Sequence, residues 1–237
     1  MKQIVILSSA IVLPVLLCAQ PTVDQSDAPQ VDDVFPYVTG SYAPITTGGA
    51  DALWDLSGVG TSDVTSLTVE SPDATAYGDL YPTATLALDG GDLITYIRTD
   101  PTGLYVVGAY QTLGQLGIEI HYTDEQLFLP YPCTYNTAFT DTYAYNYDYP
   151  GTTVNGGGNL SYVADGFGTL VLPYDTIYNV LKLSGIDTTT DIIPGQSSVT
   201  VNHQVYFYKP GMHYYLLSSR AFSVTVNGGS PTTAFGL

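Results

Sequence analysis

Brief segments of alternating apolar and polar residues constrain the fold of this chain more than any other feature. In residues 199–207 the odd positions are apolar except for His203, and the even positions are mostly polar. Residues 118–122 and 222–227 alternate in the same way. Because successive side chains of a β-strand point to opposite faces of a sheet, this period of two indicates strands with one face on a core and one in solvent.

Turn signals separate these segments at intervals of roughly ten residues. They include Asp-Gly-Gly at residues 89–91, Asp-Pro-Thr-Gly at 100–103, Asp-Gly at 165–166 and Pro-Gly at 210–211. The 21 tyrosines and 24 glycines are also typical of strands and turns. We therefore predict an all-β protein, a sandwich of two antiparallel sheets with either jelly-roll or immunoglobulin-like topology. Trp54 is expected to anchor its core.

The N-terminal residues have the layout of a secretory signal peptide. Lys2 precedes an apolar run over residues 4–17, and Ala19 is a small residue at which a signal peptidase would cut. Lipidation of Cys18 is an alternative. We expect residues 1–19 to be the signal, residues 20–35 to be an extended lead-in and residues 36–237 to form one β-sandwich domain. The predicted localisation is secreted or cell-surface, without a transmembrane helix in the mature chain.

The charge of the chain excludes one class of partner. There are 22 acidic residues and five Lys and Arg, of which Lys2 lies in the predicted signal. Binding to nucleic acid depends on clustered Lys and Arg, so we expect no nucleic-acid partner. A polysaccharide or a cell-surface component remains as the expected partner.

Four tyrosines at alternate positions are the most unusual local feature of the sequence. Tyr143, Tyr145, Tyr147 and Tyr149 would all project from one face of a strand. Two interpretations stay open. The rings could form a platform that stacks on sugar faces, or they could form the inner face of a sheet with each hydroxyl bonded at its edge. The first interpretation makes these four residues candidate ligand-binding residues.

Signals for metal binding and catalysis are weak. Asp187 and Asp191 flank three threonines, an oxygen-rich pattern that calcium can use, but turn capping by aspartate is the favoured interpretation. His203 is expected to be a hydrogen-bonded core histidine, and Cys133 a buried, unreactive thiol. No G-x-S-x-G motif occurs in the sequence. We predict no metal, no cofactor and no catalytic residues, although paired carboxylates could assemble across strands.

Two segments carry a family resemblance. Residues 49–57 resemble a G-x-x-x-x-W-D-F-S stretch, and residues 165–173 with residues 178–181 resemble a D-G-x-G-T-L-x-L-P … N-V-L segment, of secreted proteins from Bacteroidetes-type bacteria. Such proteins often end in a C-terminal sorting domain read by the type IX secretion system. Here residues 235–237 follow the last predicted strand without such a domain. The resemblance implies an exported β-rich protein and supplies no catalytic residues.

These observations favour an exported, non-catalytic binding or adhesion module, with glycans as the candidate ligands. One alternative is a secreted hydrolase that cleaves glycans with paired carboxylates. Another is a structural subunit of a surface assembly, which a long exposed edge strand would favour.

Overall fold

A computed structural model describes residues 20–236, so the predicted signal peptide lies outside the described residues. This part of the chain forms fifteen strands and three short 3-10 helices. The strands are β1 (Thr22–Val23), β2 (Val34–Tyr37), β3 (Gly49–Asp55), β4 (Thr65–Glu70), β5 (Leu86–Asp89), β6 (Leu93–Asp100), β7 (Gly103–Leu113), β8 (Leu116–Pro130), β9 (Cys133–Thr134), β10 (Ala138–Tyr149), β11 (Thr152–Val171), β12 (Thr176–Ile193), β13 (Gln196–Tyr208), β14 (Leu217–Val226) and β15 (Thr232–Gly236). The 3-10 helices span Gln25–Asp27, Pro72–Ala74 and Gly78–Leu80. None of the helices among residues 20–236 has the length and apolar character needed to traverse a lipid bilayer.

The strands of residues 20–236 join mainly into one antiparallel sheet of 13 strands. Its order is β15-β14-β13-β12-β11-β10-β8-β7-β6-β5-β4-β2, and β3 pairs in parallel with the C-terminal half of β11. The two remaining strands, β1 and β9, form a separate antiparallel ribbon. The all-β class is therefore confirmed. The predicted sandwich of two sheets is not confirmed, because nearly all strands belong to the same sheet.

The predicted turns lie at strand boundaries in three of four cases. Residues 89–91 connect β5 to β6, residues 100–103 connect β6 to β7, and residues 210–211 follow β13. The turn predicted at residues 165–166 is wrong, since these residues lie inside β11. A shift of register between Val163 and Gly166 there disturbs the pairing with β12 without ending the strand.

The main hydrophobic core lies between distant parts of the large sheet. Leu88 on β5 and Leu183 on β12 belong to the same buried cluster, although five strands separate β5 from β12 in the sheet. The sheet therefore bends until one of its faces encloses apolar side chains from both halves. Val23 of β1 also belongs to this cluster, which ties part of the lead-in to the rest of the protein.

A second, smaller core lies on the opposite face of β11, β12 and β13. Val180 belongs to it while the next residue, Leu181, belongs to the main core, so β12 is buried on both faces here. Trp54 of β3 is 4% exposed and packs edge-on against Phe207, with ring centroids 4.9 Å apart. Its indole Nε1 donates to the carbonyl of Thr47 at 2.9 Å. The prediction that Trp54 anchors a core is confirmed.

Candidate binding cleft

The four alternate tyrosines of β10, here called the tyrosine row, are Tyr143, Tyr145, Tyr147 and Tyr149. They line one cleft of about 460 Å³, here called the tyrosine cleft. All four rings border this cleft, which confirms that they project from one face of the strand. Their burial changes along the strand. Tyr143 is 5% exposed and belongs to the main core, Tyr145 and Tyr147 are half-buried, and Tyr149 is 49% exposed. The row therefore runs from the core to the surface: Tyr143 forms part of an inner face of the sheet, whereas the ring of Tyr149 is accessible to solvent.

Glycines on the neighbouring strand allow the inner rings to extend across it. Tyr143 is paired with Gly158 of β11 and Tyr145 with Gly156. A Cβ atom on Gly158 would lie 2.6 Å from Oη of Tyr143, and one on Gly156 would overlap the ring of Tyr145. Any larger residue at either position would occupy the space that the ring takes. Because a tyrosine of β10 faces a glycine of β11 at two positions, two tyrosine rings lie side by side across β11.

The tyrosine hydroxyls reach acidic residues on β12, two strands away from β10. Tyr143 Oη donates to Oδ1 of Asp187 at 2.7 Å, and Tyr145 Oη donates to Oδ1 of Asp191 at 2.8 Å. Thr189 Oγ1 lies 2.7 Å from Tyr143 Oη and is placed to donate to it. These three β12 residues occupy alternate positions and share the face of the sheet that the rings cover.

Asp187 and Asp191 therefore do not cap a turn, and that prediction is wrong. They lie within β12, whose Thr188, Thr189 and Thr190 are β-branched residues suited to a strand. Among residues 20–236 no group of three or more His, Cys, Asp and Glu side chains is arranged to hold a metal ion. The carboxylates of this pair instead accept hydrogen bonds from the tyrosine row.

Burial is the main influence on the pKa values of several side chains in the cleft. It raises the pKa of Asp187 above its ordinary value, while the hydrogen bond from Tyr143 works in the opposite direction. Burial also raises the pKa of Tyr122, Tyr143 and Tyr145, and nearby aspartates raise these values further. The phenols consequently keep their protons at neutral pH and act as hydrogen-bond donors.

The strands β8 and β7, which follow β10 in the sheet on the side away from β11, supply further lining of the cleft. Tyr122 of β8 lies with its ring centroid 6.0 Å from that of Tyr143 and 5.3 Å from that of Tyr145. Ile118 and Ile120 lie on the same side of the strand. The alternation in residues 118–122 predicted this shared face. The alternation did not predict that these β8 residues lie beside the tyrosine row, because neither segment alone shows that β8 pairs with β10.

A second hollow of about 280 Å³ adjoins the cleft at its open end. The two hollows share Tyr147, Tyr149 and Asp191, and the second continues towards Gln196 and Ser198 at the start of β13. The accessible half of the tyrosine row therefore lies in the middle of an elongated surface, with aromatic, amide, hydroxyl and carboxylate groups along it.

Two other residues singled out in the sequence lie away from this cleft. Cys133 is fully buried in the main core, and burial raises its pKa to about 12, so the expected buried thiol is confirmed. The expectation of a core histidine at residue 203 is wrong, since His203 is exposed. Val205 and Phe207 share its face of β13 and are covered by the second core, which does not extend as far as His203.

Comparisons with protein-family models, with curated proteins and with solved structures found no match to this chain. The resemblance of residues 49–57, 165–173 and 178–181 to secreted proteins of Bacteroidetes-type bacteria stays a prediction.

Proposed function

We propose that this protein is an exported, non-catalytic binding module and that the tyrosine cleft contacts a glycan. The observation that carries the proposal is the burial gradient along β10. The inner two tyrosines are fixed by hydrogen bonds to β12, while Tyr147 and Tyr149 extend the same row into solvent. A row of this kind offers aromatic surface that is already ordered before a ligand arrives, which lowers the entropy cost of binding.

The chemistry of the cleft suits a polyhydroxylated ligand. Aromatic rings can pack on the apolar C–H faces of a sugar, while neighbouring polar groups exchange hydrogen bonds with its hydroxyls. Gln111 and Gln126 supply amides, and Asp191 supplies carboxylate oxygen, along the same cleft. An uncharged polysaccharide also avoids the repulsion that the net charge of −17 would impose on an anionic ligand.

The continuity of the two hollows supports an oligosaccharide rather than a single sugar. The cleft and its neighbouring hollow measure about 460 and 280 Å³ and meet at Tyr147 and Tyr149. A ligand centred on these two rings would therefore extend to both sides, towards Gln126 in the cleft and towards Gln196 in the neighbouring hollow.

The hydrolase alternative is favoured less by the geometry of the two cleft carboxylates. Asp187 and Asp191 are four residues apart on one strand, a span of about 13 Å at about 3.3 Å per residue. Glycoside cleavage uses carboxylate pairs about 5–10 Å apart. Asp187 is also 8% exposed and hydrogen-bonded to Tyr143, which leaves it poorly placed to meet a sugar.

The alternative of a structural subunit is favoured less by the sheet edges. The edge strand β2 is four residues long and contains Pro36, the edge strand β15 is five residues long, and β3, which pairs only with β11, is seven residues long. Short edges and edge prolines discourage the addition of further strands. None of these three strands provides the long edge that assembly through strand pairing would use.

A glycan array probed with the purified protein tests the proposal. We expect binding to a neutral oligosaccharide, and we expect the Tyr147→Ala/Tyr149→Ala variant to lose it. Tyr178→Ala is the matched control, because Tyr178 is 67% exposed on β12 and lies outside the cleft. Binding to no glycan, or equal binding by the double variant, would refute the proposal.

A second experiment with the purified protein tests whether it cleaves the glycan that it binds. Incubation with the recognised glycan should leave its chain length unchanged by mass spectrometry. Release of shorter products by the wild type, but not by Asp191→Asn, would instead support the hydrolase.

Export is tested by a separate experiment. The N-terminus of protein recovered outside the producing cell should be Gln20, and recovery of the protein in the cytoplasm with Met1 retained would contradict export.

A further inference from the structure

A separate pocket lies between residues that pack against the main core and residues that pack against the second core. It has a volume of about 430 Å³. On one side it is bounded by Phe35, Leu67 and Tyr214, which pack against the main core. On the other side it is bounded by Leu172 and Leu217, which pack against the second core. It shares no lining residue with the tyrosine cleft.

The lining of this pocket is apolar and uncharged. None of the described residues that line it carries a formal charge, although the chain contains 22 acidic residues. Burial raises the pKa of Tyr214 well above its ordinary value, so this phenol is neutral as well. A charged ligand would lose its hydration here without gaining a partner, whereas an apolar ligand would gain contact surface.

The mouth of the pocket is built from exposed side chains. Tyr174 is 81% exposed and its Oη lies 2.9 Å from Oγ1 of Thr61. Val64 is 70% exposed and Tyr37 is 44% exposed. Exposed apolar side chains grouped around one opening are unusual on a soluble surface and mark sites of contact. The pocket is therefore open to solvent at an apolar rim.

We propose that this pocket binds an uncharged, apolar small molecule. Its volume falls within the range of about 300–1,000 Å³ that is typical of small-molecule sites, and its lining supplies aromatic and aliphatic contacts from both cores. Occupancy would fill the gap between the two cores. Tyr37 and Tyr174, two exposed residues of the lining, contact the ligand, and the uncharged lining selects neutral molecules over anions.

A matched pair of fluorescent probes tests this proposal. N-phenylnaphthylamine is neutral, and anilinonaphthalene sulfonate carries an added negative charge on a closely similar skeleton. We expect the neutral probe to bind with a micromolar dissociation constant and to shift its emission to the blue. We expect the sulfonate to bind about tenfold more weakly, because the pocket offers no cation and the chain repels anions.

Variants locate the bound probe. Tyr37→Ala and Tyr174→Ala should each weaken binding of the neutral probe about fivefold, the loss of roughly one aromatic contact. Both residues are exposed enough for the fold to survive, which thermal unfolding of each variant checks. Tyr178→Ala should bind the probe as the wild type does, because the exposure of Tyr178 lies between those of Tyr37 and Tyr174 but Tyr178 lies outside the pocket.

Three results would overturn the proposal: no binding of the neutral probe, equal binding of both probes, or unchanged binding by Tyr37→Ala and Tyr174→Ala. Loss of the probe in Tyr147→Ala, with full binding by the two pocket variants, would also overturn it, since the probe would then lie in the tyrosine cleft.

Discussion

The two halves of the tyrosine row use the same residue for different purposes. Tyr143 and Tyr145 cross a glycine-bearing stretch of β11 and end on Asp187 and Asp191. Tyr147 and Tyr149 continue the row at alternate positions of β10, but they border two adjoining hollows at the surface. The centroids of neighbouring rings from Tyr143 to Tyr147 are 6.3 Å apart at both steps. Whether a tyrosine of the row is structural or accessible thus depends on whether the neighbouring strands supply a glycine beneath its ring and an acceptor for its hydroxyl.

This difference predicts that substitutions in the inner half affect stability and that substitutions in the outer half affect binding. The largest loss of stability is expected from Gly158→Ala. Its Cβ would lie 2.5 Å from the carbonyl oxygen of Thr188 and 2.6 Å from Oη of the buried Tyr143, so backbone and ring must both move. We expect a decrease of about 3 kcal/mol in the free energy of unfolding, measured by urea denaturation.

Gly58→Ala is the control for that substitution. Apart from atoms of the glycine itself and its two chain neighbours, no heavy atom of the described residues lies within 4 Å of the position that its Cβ would take. Its free energy of unfolding should stay within about 0.5 kcal/mol of the wild type. Equal stability of the two variants would show that the inner rings do not occupy the space above β11.

A smaller loss is expected from Tyr143→Phe. The substitution keeps the ring but removes the hydroxyl that donates to the buried Asp187. The unfolding free energy should fall by about 2 kcal/mol, because a buried acceptor loses its partner. Tyr178→Phe, at an exposed position on β12, should have no measurable effect. A Tyr143→Phe protein as stable as Tyr178→Phe would contradict a structural role for the inner half.

The raised pKa of Asp187 predicts a specific pH dependence of stability. Because folding raises this pKa above 3.8, the folded state binds the proton more tightly than the unfolded state does. The contribution of Asp187 is thus fully present below pH 3.8 and is lost as the pH rises through the folded value. Lowered pKa values at the exposed Asp24, Asp55 and Asp100 act in the opposite direction.

Asp187→Asn isolates the contribution of Asp187 from that of the other acids. The difference in unfolding free energy between wild type and variant should favour the wild type most at low pH and should decrease as the pH rises. Urea denaturation at a series of pH values measures it. A difference that stays constant with pH, or grows with it, would contradict burial as the dominant influence on this carboxyl.

The smallest change in stability is expected in the outer half. Tyr149→Ala removes a ring that is 49% exposed, so the unfolding free energy should change by about 0.5 kcal/mol or less. Thermal or urea denaturation checks this value. A loss as large as that of Tyr143→Phe would mean that the outer ring supports the fold, and the two halves of the row would then not differ.

The sequence predicted the local properties of the row but not its surroundings. A period of two is a property of a single segment, so the strand and the common face of Tyr143, Tyr145, Tyr147 and Tyr149 could be inferred. The hydrogen bonds to Asp187 and Asp191 join residues 44 and 46 positions apart. They depend on the register of β10, β11 and β12, which alternation alone leaves open.

The glycines of β11 illustrate the same limit for the fold. In a sequence, Gly166 and Gly168 after an aspartate are typical of a turn. In the fold they lie where β3 pairs in parallel with β11, and a Cβ on Gly168 would overlap the backbone of Ala52. The close approach of another strand, 116 residues earlier in the chain (Gly168 against Ala52), is what makes glycine necessary. A segment read alone cannot distinguish that cause from a turn.

The division of the row into a fixed half and a binding half is tested most directly by calorimetric titration of the glycan that the array identifies. Tyr147→Ala and Tyr149→Ala should each weaken binding about fivefold, while both proteins unfold at nearly the wild-type midpoint. Wild-type affinity in both variants, with their folds intact, would contradict this division.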